Sequence, residues 1–158
     1  MRNEFEKFIN ATKTGKRCKL SGERIKPATI ENYRNVLKLL TEFELYTGKE
    51  LHLFSNTGKN AGNLQSEKRY WDHFYKEFTL FLYKTKGCHD NFCGHVFKII
   101  KCFFRYLKNE KMINLNPFYE RFYVRREDIR IISLLPEQLS FLIMDQAFHQ
   151  QLSPALRK

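Results

Sequence analysis

The chain has 158 residues, of which 28% are charged and 15% are aromatic. This composition excludes a disordered chain, and the length is sufficient to bury an apolar core without disulfides or a structural metal. Lysine and arginine number 28 against 17 aspartates and glutamates, so the formal net charge is +11. Such an excess favours a polyanionic partner, either nucleic acid or an anionic membrane surface.

The spacing of apolar residues predicts four amphipathic helices. In chain order they cover Arg2–Thr12, Ala28–Tyr46, Lys68–Tyr83 and Asp90–Asn109. Pro27 suits the first turn of the second helix, and Gly48 and Gly87 suit the ends of the second and third. The polar stretch Phe54–Gln65 is predicted to be a surface loop. The aromatic stripe of the third helix, which includes Trp71, Phe74 and Phe78, favours core packing over a base-stacking platform.

Two segments concentrate the positive charge. Lys13–Lys26 is predicted to be a loop or a small hairpin turning at Ser21-Gly22, and it is either a solvated tether or a phosphate-contacting segment. The fourth helix repeats basic residues at three- and four-residue steps opposite its apolar face, which favours a phosphate-binding stripe over a solvated lysine face. The stripe consists of His95, Lys98, Lys101, Arg105 and Lys108.

After Asn116-Pro117 the composition no longer predicts a long amphipathic helix. Arginines crowd a short connection, Ile129–Leu134 has strand-like composition, and Pro136-Glu137 is predicted to open another helix. Because a further helix begins at Ser153-Pro154 just before the last residue, Lys158, we expect a truncated second domain. The predicted domains are an N-terminal helix and basic loop (1–26), a helical domain (27–120), a linker (121–133) and the start of that second domain (134–158).

No catalytic or metal-binding constellation is recognisable. Cys88, His89, Cys93 and His95 follow no common zinc spacing, and buried or half-buried thiols are the favoured interpretation. No nucleophile motif, metalloprotease motif or dinucleotide fingerprint occurs. The four cysteines lack the spacing of a disulfide framework, and no apolar run approaches the roughly 20 residues of a membrane span. We therefore expect a reduced, cytoplasmic protein that has no cofactor, no metal and no membrane partner.

The order of the segments resembles the N-terminal half of tyrosine recombinases, in particular the integrases of Bacteroides-type mobile elements. The opening helix, basic loop and first core helix are similar at Phe8-Ile9, Thr14-Gly15-Lys16-Arg17, Ile30-x-x-Tyr33, Leu40 and Phe43-Glu44. The next core-helix signature is similar at Asp90-Asn91, Val96, Lys98, Ile100-Lys101-Cys102-Phe103-Phe104 and Ile113-Asn114-x-Asn116-Pro117-Phe118. The element that opens the family's catalytic domain is similar to Leu134-Leu135-Pro136-Glu137-Gln138-Leu139. Two stretches depart from the family: Phe92-Cys93, where a threonine and an aliphatic residue are usual, and the long polar loop Ser55–Ser66.

The resemblance implies an all-α, SAM-like bundle of four to five helices, followed by a basic linker and the truncated start of a catalytic domain. In the family, this bundle and the catalytic domain clamp duplex DNA from opposite sides. A tyrosine nucleophile, two arginines, a lysine and His or Trp groups cut and rejoin the strands without a cofactor. The chain contains no His-x-x-Arg motif. We therefore expect this fragment not to be an enzyme, whereas the full-length protein would be a DNA breaking-rejoining recombinase, nucleoid-associated in a bacterial cytoplasm.

Together, the charge pattern and the resemblance predict the DNA-contacting residues. Most are expected to touch phosphates, and Asn91 is the one expected base reader. The full set is Lys16, Arg17, Lys19, Arg24, Arg34, Lys38, Asn91, His95, Lys98, Lys101, Arg105, Arg125 and Arg126. The expected partners are double-stranded DNA and, in a full-length synaptic complex, other recombinase protomers, with the fragment itself monomeric.

Other functions fit the same sequence. A stand-alone DNA-binding regulator or accessory protein would need dimer contacts and a defined recognition helix. A helical protein-interaction module would offer its basic face to an acidic partner. An RNA-binding helical domain is a further alternative, although the aromatic patterns of RNA-recognition motifs are absent.

Overall fold

The computed structural model describes residues 1–19, 21–53 and 61–127, together with positions 135–137, 140 and 144. The chain divides into two compact units, Met1–Glu127 and Asp128–Lys158. The strand-like segment predicted at Ile129–Leu134 lies outside the described residues, as does nearly all of the predicted second domain. The first unit contains four α-helices: α1 (Arg2–Lys13), α2 (Pro27–Thr47), α3 (Ala61–Leu80) and α4 (Asp90–Asn109). No strand occurs in the described ranges, so the prediction of an all-α bundle is confirmed.

The helix ends follow local chemistry. Pro27 occupies the first turn of α2, where its missing N–H costs nothing. Gly48 ends α2 in the left-handed region at φ 65°, as predicted. The predicted loop Phe54–Gln65 is wrong at its C-terminal end, because α3 already begins at Ala61. Alanine, leucine and glutamine favour the helix there, and they outweigh the neighbouring Gly62 and Asn63 that suggested a loop.

The core is built mainly from aromatic rings. Phe5 of α1 packs against Phe103 of α4 with ring centroids 4.5 Å apart, and Phe8 packs against Tyr33 of α2 at 4.7 Å. Further along α4, Trp71 of α3 meets Phe104 edge-on at 5.1 Å. Trp71, Phe74 and Phe78 are 3%, 3% and 0% exposed. This burial confirms that the aromatic stripe of α3 is core.

The helix α4 occupies the centre of the bundle and has the bounds that its sequence predicted. Cys93, Val96, Ile100 and Leu107 are fully buried in it. The side that remains accessible carries the basic residues. His95, Lys98, Arg105 and Lys108 are exposed, and Lys101 is half-buried. The accessible side of α4 therefore carries its basic residues, together with Phe92 near the start of the helix and Asn109 at its end.

Two short irregular turns adjoin α4 in the chain. The end of α3 widens into a π-helical turn, Phe81–Thr85, in which the Lys86 backbone N–H donates to the carbonyl oxygen of Phe81 at 3.2 Å. A 3-10 turn, Pro117–Arg121, follows α4. It buries Tyr119, whose ring stacks on Phe104 at 4.8 Å. The extended segment Phe122–Glu127, here called the strap, comes directly after this turn.

Candidate nucleic-acid interface

An open groove of about 620 Å³ lies between α4 and the strap. No acidic side chain lines it. Its walls contain seven of the thirteen residues that the sequence predicted to contact DNA, and they come from two separate stretches of the chain. The lining residues of this basic groove are Asn91, Gly94, His95, Lys98, Lys101, Arg105, Val124, Arg125 and Arg126.

The two walls of the basic groove meet at Gly94, in the first half of α4. An ideal Cβ on Gly94 would lie 1.9 Å from the carbonyl oxygen of Arg125 and 3.1 Å from its backbone nitrogen. Real Cβ atoms never approach that closely, so only glycine lets the strap lie directly on the helix. This contact places Arg125 and Arg126 beside the basic stripe of α4.

The strap is held to the bundle at several points along its length. Phe122 is 3% exposed and packs against Trp71, Phe74 and Phe97, with ring centroids 6.1, 5.9 and 5.8 Å away. The Tyr75 hydroxyl donates to the carbonyl oxygen of Tyr123 at 3.4 Å. At the far end, the backbone N–H of Glu127 donates to Oδ1 of Asn91 at 2.9 Å. This first part of the predicted linker thus packs on the helical bundle.

Asn91 and Arg125 are partly occupied by the protein itself. The amide oxygen of Asn91 accepts the Glu127 N–H, so its amide NH2 is the part that remains for a ligand. Nη1 of Arg125 donates to the Tyr83 hydroxyl at 2.9 Å and lies 3.6 Å from Oδ1 of Asp90. The guanidinium also lies 5.2 Å from the centre of the Tyr83 ring. Arg125 is therefore fixed in place before any ligand arrives.

The remaining cations of the basic groove are not neutralised within the described part of the chain. Lys98, Arg105 and Arg126 have no ion pair or hydrogen bond there. Nζ of Lys101 donates to a neutral acceptor, the carbonyl oxygen of Glu120, at 2.8 Å. Burial and the neighbouring charge of Arg105 lower the pKa of Lys101, against the opposing effect of Glu120. A bound anion would relieve this repulsion.

Six cations outside the basic groove form ion pairs within the described ranges, with N–O distances from 2.5 to 3.4 Å. The pairs are Arg2–Glu6, Lys7–Glu4, Arg17–Glu110, Lys19–Glu23, Arg34–Glu31 and Lys86–Glu42. Other cations outside the groove, among them Lys13, Lys16 and Lys38, have no ion pair in the same ranges. The basic groove therefore differs in bringing five cations together on walls that carry no carboxylate.

The basic loop, Lys13–Lys26, is a separate positively charged segment outside the basic groove. The predicted hairpin forms, because Cys18 and Arg24 make an isolated antiparallel bridge and Gly22 turns at φ 81°. Lys16 and Arg24 are exposed, whereas Lys19 is paired with Glu23 at 2.5 Å. None of these loop residues lines the basic groove.

Arg17 has a structural role. Its side chain is 13% exposed, and Nε donates to Glu110 at 2.8 Å. Nη1 donates to the Thr12 hydroxyl at 3.2 Å, and the guanidinium lies 4.6 Å from the centre of the Phe8 ring. These contacts tie the loop to the core and leave the charge of Arg17 satisfied by the protein.

The two weaker candidates on α2 also lie apart from the basic groove. Arg34 donates to Glu31 at 2.7 Å, one turn earlier on the same helix. Lys38 is exposed and has no ion pair within the described ranges. Neither residue lines the groove, so α2 is not one of its walls.

Sequence reasoning missed two residues that shape the site. Gly94 lies in the middle of a helix, where glycine is unfavourable by about 1 kcal/mol relative to alanine. That unfavourable placement is a signal that a close backbone contact exists. Tyr83 was predicted only as the last residue of the third helix, yet its hydroxyl contacts both Asp90 and Arg125. No periodicity in the sequence indicates that contact.

The described ranges contain neither a metal-ligand cluster nor a membrane-spanning helix. No group of three or more His, Cys, Asp or Glu residues there is arranged to hold a metal ion. Cys93 is fully buried and Cys88 is half-buried, as predicted for these thiols. Within the same ranges, none of the helices has both the length and the apolar content to cross a bilayer.

Comparison with known proteins gives no relative. No family model matches the sequence, and neither a curated protein nor a solved structure shows significant similarity to the chain.

Proposed function

We propose that the chain binds duplex DNA through the basic groove, as the DNA-gripping N-terminal part of a tyrosine-type site-specific recombinase. The observation that carries the proposal is the convergence of Lys98, Lys101 and Arg105 with Arg125 and Arg126 in one groove without a lining carboxylate. The recombinase context rests on the resemblance of the sequence motifs. In this proposal the chain supplies the grip on DNA and no phosphodiester chemistry, and it needs no cofactor.

The length of the basic stripe supports a phosphate backbone as the ligand. From His95 to Arg105 the helix rises about 15 Å, at roughly 1.5 Å per residue. A strand of B-DNA carries one phosphate per roughly 3.4 Å of helix axis, so about four phosphates fit along the stripe. Arg125 and Arg126 add two more cations from the strap. Contacts of this kind position a protein on DNA without reading its sequence.

The wider role follows from the same proposal. Other recombinase protomers on the same DNA would be the protein partners, and the bacterial cytoplasm with its nucleoid would be the location. Base recognition would fall to the amide NH2 of Asn91, which remains for a ligand at one end of the basic groove. A single such contact gives only a modest preference for one site.

Two variants of equal net charge test the proposal. The groove variant carries Lys98→Gln, Lys101→Gln, Arg105→Gln and Arg126→Gln. The control variant carries Lys13→Gln, Lys49→Gln, Arg69→Gln and Lys76→Gln, all at exposed positions outside the groove. Each lowers the net charge of +11 by four.

Binding of both variants to a labelled duplex at low salt separates the effect of charge in the groove from the effect of net charge. We expect the groove variant to lose at least about tenfold more affinity than the control variant, because direct phosphate contacts exceed long-range attraction. Equal losses in both variants would mean that net charge alone drives the binding. Failure of the wild-type protein to bind DNA at low salt would contradict the proposal and favour an acidic protein as the partner.

A further inference from the structure

The hydroxyl of Tyr83 stands between a carboxylate and an arginine. It donates its proton to Oδ1 of Asp90 and accepts a hydrogen bond from Nη1 of Arg125 at 2.9 Å. The same Nη1 lies 3.6 Å from Oδ1 of Asp90, which is too long for a hydrogen bond. Arg125 and Asp90 thus form an ion pair at 3.6 Å in which the Tyr83 hydroxyl, and not a direct hydrogen bond, links the two groups.

Three different elements supply this arrangement. Tyr83 lies in the π-helical turn that ends the α3 segment, Asp90 is the first residue of α4, and Arg125 belongs to the strap. Single π-helical turns inside or at the end of α-helices are frequent at functional sites. Gly94 packs on the backbone of Arg125 itself, and Asn91 holds the strap two residues later by accepting the Glu127 N–H. Both the backbone and the side chain of Arg125 are thus fixed.

A guanidinium that is held in place is well suited to bind phosphate. Arginine has five N–H donors in a planar fork, and phosphate recognition uses two of them along one edge. Tyr83 and Asp90 both contact Nη1, and Tyr75 also interacts with the guanidinium, so the other N–H donors of Arg125 are the ones that a ligand would meet. An arginine already held in its binding rotamer loses less conformational entropy when a phosphate arrives.

We propose that Tyr83 is a positioning residue for Arg125, holding the guanidinium beyond hydrogen-bonding distance of Asp90 and at the wall of the basic groove as a preorganised phosphate contact. This inference rests on the proposed DNA-binding function. Without the Tyr83 hydroxyl, Asp90 would pair directly with Arg125 and compete with the phosphate. Tyr83 itself does not contact the ligand.

A double-mutant cycle tests the inference, using the full chain and a labelled DNA duplex. The proteins are the wild type, Tyr83→Phe, Arg125→Gln and the double variant, with Tyr46→Phe as a control at an exposed tyrosine. Tyr83→Phe keeps the ring that faces Arg125 and removes only the hydroxyl. Urea unfolding of each protein ensures that the affinities of folded proteins are compared.

We expect Tyr83→Phe to weaken DNA binding roughly three- to tenfold and Arg125→Gln to weaken it at least as much. In the Arg125→Gln background, Tyr83→Phe should have no further effect, because a positioning residue acts only through the group that it positions. Tyr46→Phe should leave the affinity unchanged.

Three results would overturn the inference. An equal loss from Tyr83→Phe in both backgrounds would show a general structural role. Loss of affinity in Arg125→Gln but not in Tyr83→Phe would remove the positioning role while leaving the proposed DNA-binding function intact. A wild-type protein that does not bind DNA would contradict both the positioning role of Tyr83 and the proposed DNA-binding function.

Discussion

The α-carbon of Gly94 faces the backbone of Arg125 so closely that an ideal Cβ would lie 1.9 Å from the Arg125 carbonyl oxygen. This contact joins the two walls of the basic groove. Because the position lies inside a helix, alanine would be the favoured residue on propensity alone. The packing of the strap outweighs that preference, and Gly94 therefore links the fold directly to the candidate site.

Replacing Gly94 with alanine should move the strap away from α4. The clash is with backbone atoms, which cannot rotate aside as a side chain would. We expect a loss of about 1–3 kcal/mol in the free energy of unfolding, typical of overpacking. DNA affinity should fall further than in any single-charge variant, since Arg125 and Arg126 move together. Urea unfolding and binding to a duplex measure the two effects.

Gly62→Ala is the matched control for Gly94→Ala. Gly62 is also helical, and a Cβ there would meet nothing within 4 Å. The substitution should be neutral or stabilise the protein by up to about 1 kcal/mol, without changing DNA affinity. If Gly94→Ala behaved like Gly62→Ala, the account of how the strap docks on α4 would be wrong.

Single lysine substitutions should separate the residues of the basic groove from the candidates outside it. Lys98→Gln removes an unpaired charge from the groove, so the slope of log K against log salt should become shallower by about 0.9. Lys38→Gln removes the same charge from an exposed position on α2 that does not line the groove. Its slope should stay close to that of the wild type. If Lys38→Gln made the slope shallower and Lys98→Gln did not, the DNA would contact α2 instead of the basic groove.

Arg17→Gln should destabilise the fold without altering how the folded protein binds DNA. The substitution removes the hydrogen bond to Glu110 and the stacking on Phe8. We expect a loss of about 2 kcal/mol, the range for hydrogen bonds to charged groups. Lys16→Gln, at the exposed neighbouring residue, should stay within about 0.5 kcal/mol of the wild type. Urea unfolding compares the two, and equal stabilities would contradict the structural role of Arg17.

The contribution of Tyr83 to stability should depend on pH only in the alkaline range. Burial, the hydrogen bond to Asp90 and the nearby Cys93 raise the pKa of Tyr83 from its ordinary value of 10.0 to about 12, against the opposing effect of Arg125. The folded protein thus holds this proton more tightly than the unfolded chain does. The resulting stabilisation is fully present below pH 10 and is lost as the pH rises towards 12.

The measurement is the free energy of unfolding of the wild type and of Tyr83→Phe across this pH range. The difference between them should be constant up to about pH 10 and should shrink above it. Subtracting the variant removes the contributions of the other buried tyrosines. A difference that stayed constant to pH 12 would mean that the Tyr83 hydroxyl is not held by Asp90 in the folded protein.

The helices could be predicted where local signals agreed. In α4, apolar residues repeat at three- and four-residue steps over Asp90–Asn109, and the bounds match. The start of α3 was misplaced because Gly62 and Asn63 are typical of loops, whereas Ala61, Leu64 and Gln65 favour a helix. Residues 62–66 are exposed, so local propensity and not burial decides this boundary.

The candidate site could be predicted only in part. The basic stripe of α4 was recognisable because its residues are close in sequence. The strap was not, since a lone Phe122 in an irregular segment has no periodicity to indicate burial. Arg17 looked like an exposed loop cation because its carboxylate partner, Glu110, is 93 residues away. Pairings over such distances depend on the fold and leave no local pattern.

The salt dependence of duplex DNA binding tests the central claim most directly. The basic groove offers five unambiguous cations: Lys98, Lys101, Arg105, Arg125 and Arg126. For the wild-type protein, log K should therefore fall with log salt at a slope of about −4.5, and the slope should be the same on duplexes of different sequence. The groove variant should retain a slope of about −1, and the control variant of equal charge should keep nearly all of the wild-type slope. A shallow slope for the wild type, or the same slope for both variants, would contradict the claim that this groove holds the phosphate backbone.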